Sequence, residues 1–533
     1  MATATATDTE VMASTASSRG SIFLLCLLLP VTAWAADWKF SSGISLSERY
    51  SDNVQLSAAG LERDEWITEV APRISAQRNG ARLKVNADYS LQGLLYADDT
   101  SRNKLRHNLN GRANAELVEE WFFLDATARI SHELNSLGGG VGLGDPVGIG
   151  NTTAVGAYSL SPYMKHRFGS IATVEARVAR DGVFVGDAGV TDTETTRYVL
   201  NAVSGNKFYP LSWSASYSMT DNTNSNSALA ADSSSERGAL TARYQLSRKY
   251  SVLAQAGVEK NDYTGAAASV RDYSYYGLGV SYSPSRRFSA DVYYNASDNG
   301  NFLSGNVTAR PTLRTTVNAS AGKRAYGRSY SLGLAHRTRQ SNWTLRYQDD
   351  LTTSQQQYLG YFGNLDEYSC ATGLEYYLPG EQPPAAAGCT YIRTVALVGQ
   401  VQVNQTYLSK NLAGAVSYNL RRNTWTLSVY SNERELQGTG GGDTTHGLQA
   451  SWSYKPVPRT TYTLTTGLTQ VESSGATLGN RQDDLWNIGL VASHQFQKKL
   501  TGSLEVRHQE RQSNQPAGDY AENSVAARLN MSF

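Results

Sequence analysis

Polar and apolar side chains alternate along most of this 533-residue chain, with the period of two that a β-strand requires. In the segment 81–92, one face carries Leu83, Val85, Ala87, Tyr89 and Leu91, and the other carries Arg82, Lys84, Asn86, Asp88, Ser90 and Gln92. The segments 446–455 and 486–496 alternate in the same way. Charges at this density cannot all enter a dry core unpaired. Each strand is therefore expected to have one wet face and one apolar face.

Short turns recur after every second strand, and longer polar connections such as 138–150 and 221–235 lie between them. The predicted turns are Asn79-Gly80, Glu119-Glu120, Gly169-Ser170, Gly205-Asn206, Arg248-Lys249, Pro284-Ser285, Pro311-Thr312, Ser341-Asn342, Arg422-Asn423, Pro456-Val457 and Lys498-Lys499. Short turns on one side and long loops on the other are typical of bacterial outer-membrane barrels. We predict an all-β fold, a closed antiparallel transmembrane β-barrel of about 24 strands (22–26). A soluble sandwich or β-solenoid is the alternative.

The last strand of the chain alternates up to its final residue. Val525, Ala527, Leu529, Met531 and Phe533 are apolar, and Arg528, Asn530 and Ser532 lie on the other face. A terminal strand closed by an aromatic residue resembles the C-terminal strand of bacterial outer-membrane barrels, where it belongs to the signal read by the barrel assembly machinery. We predict Leu529, Met531 and Phe533 as this insertion signal. The strand should pair with the first strand, near Phe40 to Leu46, so that no edge stays unpaired in lipid.

The N-terminal segment predicts export. Residues 22–36 read IFLLCLLLPVTAWAA and follow Arg19. A short apolar core and the small-x-small step at Ala33-Trp34-Ala35 are typical of a secretory signal peptide. We therefore predict a cleaved signal peptide at 1–35, a barrel at 36–533, and the outer membrane of a Gram-negative bacterium as the location.

Composition narrows the choice of partners. The formal net charge is +1, whereas a nucleic-acid binder would show a strong basic excess. The mean hydropathy of −0.41 does not exclude a membrane barrel, because half of each spanning strand faces a wet lumen. Thirty-two tyrosines against thirteen prolines fit strands with interfacial aromatic girdles. Lipids and lipopolysaccharide of the outer membrane are the expected surroundings.

One long interruption of the hairpin pattern spans about 355–405. It contains Cys370 and Cys389, which we expect to form a disulfide in an exported protein. The first strand begins near Trp38 and leaves no room for an N-terminal plug domain, so a wide barrel would need closure by a loop or a partner. Two interpretations of this segment remain open: a constriction folded into the lumen, and an extracellular stapled loop or cap.

Two stretches carry a family resemblance. The first comprises Glu48–Val54 (ERYSDNV) and Asp64–Pro72 (DEWITEVAP), and the second is Ser329–Ser354. Both resemble the outer-membrane β-barrel family associated with PEP-CTERM/exosortase systems. The resemblance implies a barrel encoded near exopolysaccharide and protein-sorting genes, with periplasmic polysaccharide-export components as partners. It implies no functional residues.

The second stretch also predicts a hairpin with a charged lumenal face. Leu332, Leu334, Trp343, Leu345 and Tyr347 are expected to face lipid, and the candidate pore-lining residues are Arg324, Arg337, Arg339, Arg346 and Asp350. Arginine forks bind carboxylates and phosphates, which makes anionic sugars plausible substrates. In the alternative interpretation, Arg337 and Arg346 only pair with Asp349 and Asp350 across strands.

No catalytic, cofactor-binding or metal-binding residues are predicted. The glycine-rich segment 138–144 lacks the Lys-Ser/Thr of a phosphate-binding loop, and neither an HExxH nor a GxSxG pattern occurs. We therefore expect a protein without enzyme activity and without a cofactor. The first hypothesis for its function is a pore of exopolysaccharide or surface-envelope export. The alternatives are a general diffusion porin and a surface adhesion or scaffold barrel.

Overall fold

The structure, a computed structural model, describes residues 38–134, 152–186, 192–225, 232–263, 272–353, 406–437, 441–475 and 480–533, and the backbone of 364–370, 373–377 and 390–396. The predicted signal peptide and the glycine-rich segment 138–144 lie outside these residues. So does the predicted disulfide, because Cys389 is not described and only the backbone of Cys370 is. None of the described helices is long and apolar enough to span a membrane.

The described residues form 27 strands and two single 3₁₀ turns, Thr100–Arg102 and Asn206–Phe208. The strands are β1 (Trp38–Ser51), β2 (Glu65–Asn79), β3 (Leu83–Tyr96), β4 (Lys104–Val118), β5 (Phe122–Leu134), β6 (Thr152–Phe168), β7 (Ala172–Val185), β8 (Thr193–Ser204), β9 (Leu211–Asn224), β10 (Ser233–Gln245), β11 (Tyr250–Tyr263), β12 (Tyr273–Ser285), β13 (Phe288–Ser297), β14 (Phe302–Thr312), β15 (Thr315–Arg324), β16 (Gly327–Arg337), β17 (Ser341–Thr353), β18 (Asn364–Cys370), β19 (Gly373–Tyr377), β20 (Thr390–Ala396), β21 (Thr406–Asn419), β22 (Asn423–Leu436), β23 (Gly442–Val457), β24 (Thr460–Ser474), β25 (Arg481–Gln497), β26 (Leu500–Ser513) and β27 (Tyr520–Ser532).

Twenty-four of these strands form one closed antiparallel sheet. Each strand pairs with its neighbours in the chain, β17 pairs with β21, and β1 pairs with both β2 and β27. The prediction of a closed antiparallel barrel with about 24 strands is therefore confirmed. Strands β18, β19 and β20 form a separate three-stranded sheet within the connection from β17 to β21.

The seam between the first and last strands closes the barrel. Residues 43–51 of β1 pair with residues 532–524 of β27, and the backbone N–H of Phe533 donates to the carbonyl of Ser42 at 2.8 Å. The pairing therefore extends further along β1 than the predicted Phe40–Leu46. No backbone edge is left open at this point, as a lipid environment requires.

The outward faces of the strands are apolar and exposed. On β25 the side chains of Trp486, Ile488 and Leu490 point outward, and Leu490 is 48% exposed. Leu529, Met531 and Phe533 likewise lie exposed on the outside of β27 and its end. Apolar surface of this extent around a closed barrel fits the hydrocarbon of a membrane. The chain is thus an outer-membrane-type β-barrel.

Aromatic pairs lie near both ends of the barrel wall. Tyr50 and Trp66 contact each other near the ends of β1 and β2, with ring centroids 5.1 Å apart. Near the short turns, Trp425 stacks on Trp452 at 5.3 Å, and the Trp452 indole N–H donates to Asn423 Oδ1 at 3.0 Å. Rings with one apolar side and one hydrogen-bonded edge suit the two interfaces of a bilayer.

All eleven predicted short turns are present, but several lie a few residues from their predicted positions. Pro284, Pro311 and Pro456 end strands instead of forming turns, and each lies within a register shift of the ladder. Proline lacks an N–H and is tolerated at such bulges. The predicted turns at Pro284-Ser285, Pro311-Thr312 and Pro456-Val457 are therefore corrected to 286–287, 313–314 and 458–459. The turn predicted at Ser341-Asn342 lies at 338–340.

Substituting arginine on either face of β25 tests this orientation. Leu490→Arg places a charge in lipid near the middle of the strand and should lower the free energy of unfolding by about 2–4 kcal/mol. Val491→Arg, one residue along, points into the lumen opposite Glu505 and should leave that free energy nearly unchanged. Denaturant titration of both variants in lipid vesicles measures the difference. Equal losses in the two variants would contradict the assigned faces.

Candidate functional site

The candidate site is the inner surface of the barrel. The side chains opposite the apolar outer rows point into the lumen, and we call the inward faces of β10–β17 the β10–β17 wall. Many of its side chains are small and polar, such as Ser304, Asn306, Asn318 and Ser320. Hydroxyl and amide groups of this kind can hydrogen-bond water or a hydrophilic solute.

The residues predicted to line the pore occupy different heights. Arg324 ends β15, beside the connection to β16, whereas Arg337 ends β16, beside the opposite, short turn. Arg346 lies between them, in the middle of β17, at an inward position opposite Gly333 and Ala413. Arg339 lies in the turn at 338–340 and belongs to no strand. The structure therefore does not bring these arginines together as one patch.

Arg324 forms an ion pair that spans four strand intervals. Its Nε and Nη2 atoms donate to the two carboxylate oxygens of Glu259, each at 3.0 Å, and Nη1 lies 3.5 Å from Asp350. Glu259 lies on β11 and Arg324 on β15, which are separated by about 19 Å along a flat sheet. That distance exceeds the reach of the two side chains. The wall must therefore curve sharply between these strands.

A second set of contacts crosses the same part of the wall closer to the short turns. Arg243 on β10 donates to Ser281 Oγ at 2.6 Å and to Asp291 Oδ2 at 2.7 Å. Gln255 on β11 donates to Asn295 Oδ1 at 2.6 Å. Asn295 lies over Gly277, where a Cβ atom would collide with it. The glycine thus allows polar side chains to lie flat against a curved wall.

Charged side chains at the seam are buried and paired. Ser51 Oγ donates to Glu522 Oε1 at 2.7 Å, and Arg507 lies 3.4 Å from the other oxygen of Glu522. Arg511 contacts Asp483 at 2.9 Å, and both side chains are almost fully buried. Buried charges are tolerated when they are paired and hydrogen-bonded. This network reinforces the backbone ladder where β25, β26, β27 and β1 meet.

The loop between β1 and β2, residues 52–64, attaches to the last strand. Asp52 and Asn523 exchange three hydrogen bonds of 2.7–3.1 Å. Asn53 is 1% exposed and donates to the carbonyls of Ser57 at 2.8 Å and Ala521 at 3.0 Å. Its Oδ1 accepts from the Ser57 N–H at 2.8 Å. The loop therefore latches the seam at the end opposite Phe533.

Apolar contacts hold the same loop against the inner face of the barrel. Val54 is buried with Ile67, Leu94 and Tyr96, all on inward positions of β2 and β3. Leu56 is buried against Tyr520 of β27. This inward-folded loop was not predicted from the sequence. The available signal was two apolar residues, Val54 and Leu56, within a polar connection.

No group of three His, Cys, Asp or Glu side chains among the described residues could hold a metal ion. Of the segment 355–405, the structure describes only the backbone of 364–370, 373–377 and 390–396, so a lumenal constriction and an extracellular cap both stay predictions. Among the described side chains, the loop 52–64 packs against the inner face of the barrel.

No protein-family model and no curated protein sequence matches the chain. Solved outer-membrane structures do resemble it. The siderophore receptor PirA from Pseudomonas aeruginosa is 10% identical over 93% of this chain and 80% of that one, with a TM-score of 0.41. The FrpB iron transporter from Neisseria meningitidis, F5-1 variant, is 9% identical over 92% and 82%, with a TM-score of 0.43. The outer membrane protein OpdK from Pseudomonas aeruginosa is 9% identical over 93% and 99%, with a TM-score of 0.32. These values are low, and the barrel assignment depends on the strand register of the chain itself.

Removing the Asn53 side chain tests the latch. Asn53→Ala removes three hydrogen bonds to the backbone of Ser57 and Ala521, so the free energy of unfolding should fall by about 1–3 kcal/mol. Glu62→Ala removes a hydrogen bond to the Gly60 N–H within the same loop and should have little effect. Denaturant titration in vesicles compares the two. A loss in Glu62→Ala as large as in Asn53→Ala would show that the loop is not a latch.

Proposed function

We propose that this protein is a hydrophilic pore of the outer membrane through which a surface-envelope polymer, an exopolysaccharide, passes. One observation carries the proposal: polar side chains face the lumen along the whole length of strands that are apolar outside. On β9 the inward positions are Ser212, Ser214, Ser216, Ser218, Thr220 and Asn222. Such a strand offers hydrogen-bonding groups along the whole depth of the lumen, and its inward side chains carry no charge.

The chemistry of these side chains suits a transported sugar chain. Hydroxyl and amide groups both donate and accept, as the hydroxyl groups of a polysaccharide do. Conduction requires contacts that are weak and repeated, so that a substrate can enter and leave. A row of serines on β9 and the Ser and Asn residues of the β10–β17 wall meet that requirement.

The choice of a polymer over small solutes is supported by sequence resemblance. The stretches Glu48–Val54 and Ser329–Ser354 resemble barrels associated with PEP-CTERM/exosortase systems, which are encoded near exopolysaccharide genes. In this proposal the partners are periplasmic polysaccharide-export components, which would deliver the polymer to the end of the barrel that carries the short turns.

Two measurements test the proposal. Purified protein in planar bilayers should conduct ions, because the lumen is polar. Deletion of the gene should lower the amount of secreted polysaccharide, and a plasmid copy should restore it. Conductance together with unchanged polysaccharide secretion and faster uptake of small sugars on expression would favour a general diffusion porin instead. A protein that inserts and does not conduct would overturn the pore itself.

A further inference from the structure

The β10–β17 wall carries more positively charged than negatively charged side chains. At regular ladder positions, its inward arginines are Arg237, Arg243, Arg324, Arg337 and Arg346, and its inward carboxylates are Glu259, Asp291 and Asp350. The whole chain is close to neutral, with a formal charge of +1. The excess of positive charge is therefore a property of this surface and not of the chain as a whole.

The three carboxylates are already occupied by two of the arginines. Arg243 pairs with Asp291 at 2.7 Å. Arg324 pairs with Glu259 at 3.0 Å and lies 3.5 Å from Asp350. These groups hold the curved wall together, and two guanidinium groups against three carboxylates leave one excess negative charge among them.

The other three arginines more than offset that negative charge, so the wall is left with two excess positive charges. Arg237, Arg337 and Arg346 are exposed, and within the described part of the chain none of them forms an ion pair. At the seam, in contrast, Arg507 and Arg511 are buried against Glu522 and Asp483. The β10–β17 wall therefore differs from the seam in carrying exposed arginines that have no ion pair among the described residues.

These three side chains also lie at successive depths. Arg337 is beside the short turn after β16 and opposite Asn342. Arg346 lies four residues further along β17, about 13 Å away. Arg237 lies on β10 opposite Glu259, near the other end of the barrel. The three guanidinium groups therefore lie at three depths of the lumen.

We propose that the β10–β17 wall is an anion track, which makes the pore selective for anions and for polymers that carry carboxylate or phosphate groups. This inference rests on the proposed pore function. Charged walls raise the local concentration of counter-ions, and guanidinium groups bind carboxylates and phosphates in a planar, two-pronged geometry. Because salt screens exposed charges over about 10 Å at 0.1 M and 3 Å at 1 M, the selectivity should weaken as salt rises.

The first test is the reversal potential of the purified full-length protein in a planar bilayer with a KCl gradient. The wild type should prefer chloride, and the preference should fall at least about twofold in a variant that combines Arg237→Gln with Arg346→Gln. The matched control is Arg328→Gln, on the outer face of β16 next to the same wall. It removes one positive charge outside the lumen, against two inside it in the double variant, and should leave the preference unchanged.

A second test uses polymers as probes. Alginate oligosaccharides, which carry one carboxylate per sugar, should block the KCl current at lower concentrations than neutral dextran of equal length. The advantage of alginate should shrink in the Arg237→Gln, Arg346→Gln variant and persist in Arg328→Gln.

The outcomes separate the two proposals. A wild-type channel that conducts without preference, or prefers potassium, overturns the anion track and leaves the pore standing. An equal loss of preference in Arg328→Gln and in the double variant also overturns the track, because surface charge alone would then explain it. Absence of any conductance overturns both.

Discussion

An unpaired peptide group cannot be left in the hydrocarbon of a membrane, and the architecture of this barrel depends on that constraint. Every strand must pair on both sides, so the first strand has to meet the last. The seam joins the two ends of the barrel chain, so its closure costs more loop entropy than any other pairing in the sheet. Accordingly it is reinforced at both ends: Phe533 donates to Ser42 at one end, and Asp52 and Asn53 attach to β27 at the other.

The same constraint gives each strand two faces, and the inner face then determines the chemistry. Since lipid accepts only the apolar side chains, the charged and hydroxyl groups collect in the lumen. There they have two uses. Some cross the curved wall, as Arg324 does to Glu259, and stabilise its shape. Others, such as Arg346, make no such contact among the described residues and remain available to a solute.

Much of the fold could be predicted because its rules are local. Period-two alternation assigns each side chain to a face, and the positions of the turns determine the number of strands. Knowing which face a side chain lies on does not identify the side chain that it contacts. Arg324 was expected to point inward, but its pair Glu259 lies 65 residues earlier, and only the curvature of the closed wall brings them together. The inward loop at 52–64 was not predicted, since two apolar residues, Val54 and Leu56, are too few to assign a direction to a polar connection. Pro284, Pro311 and Pro456 were predicted in turns but lie in bulges, because proline is favoured in both.

Single-cysteine labelling across β17 tests the central claim, which is that alternate residues face lipid and a water-filled lumen. Cysteine would be introduced at Leu345 or at Arg346 in protein lacking Cys370 and Cys389, and each variant would be treated in membranes with a water-soluble thiol reagent. We expect rapid modification at position 346 and protection at position 345. Equal modification at both positions, or modification at 345 alone, would contradict it.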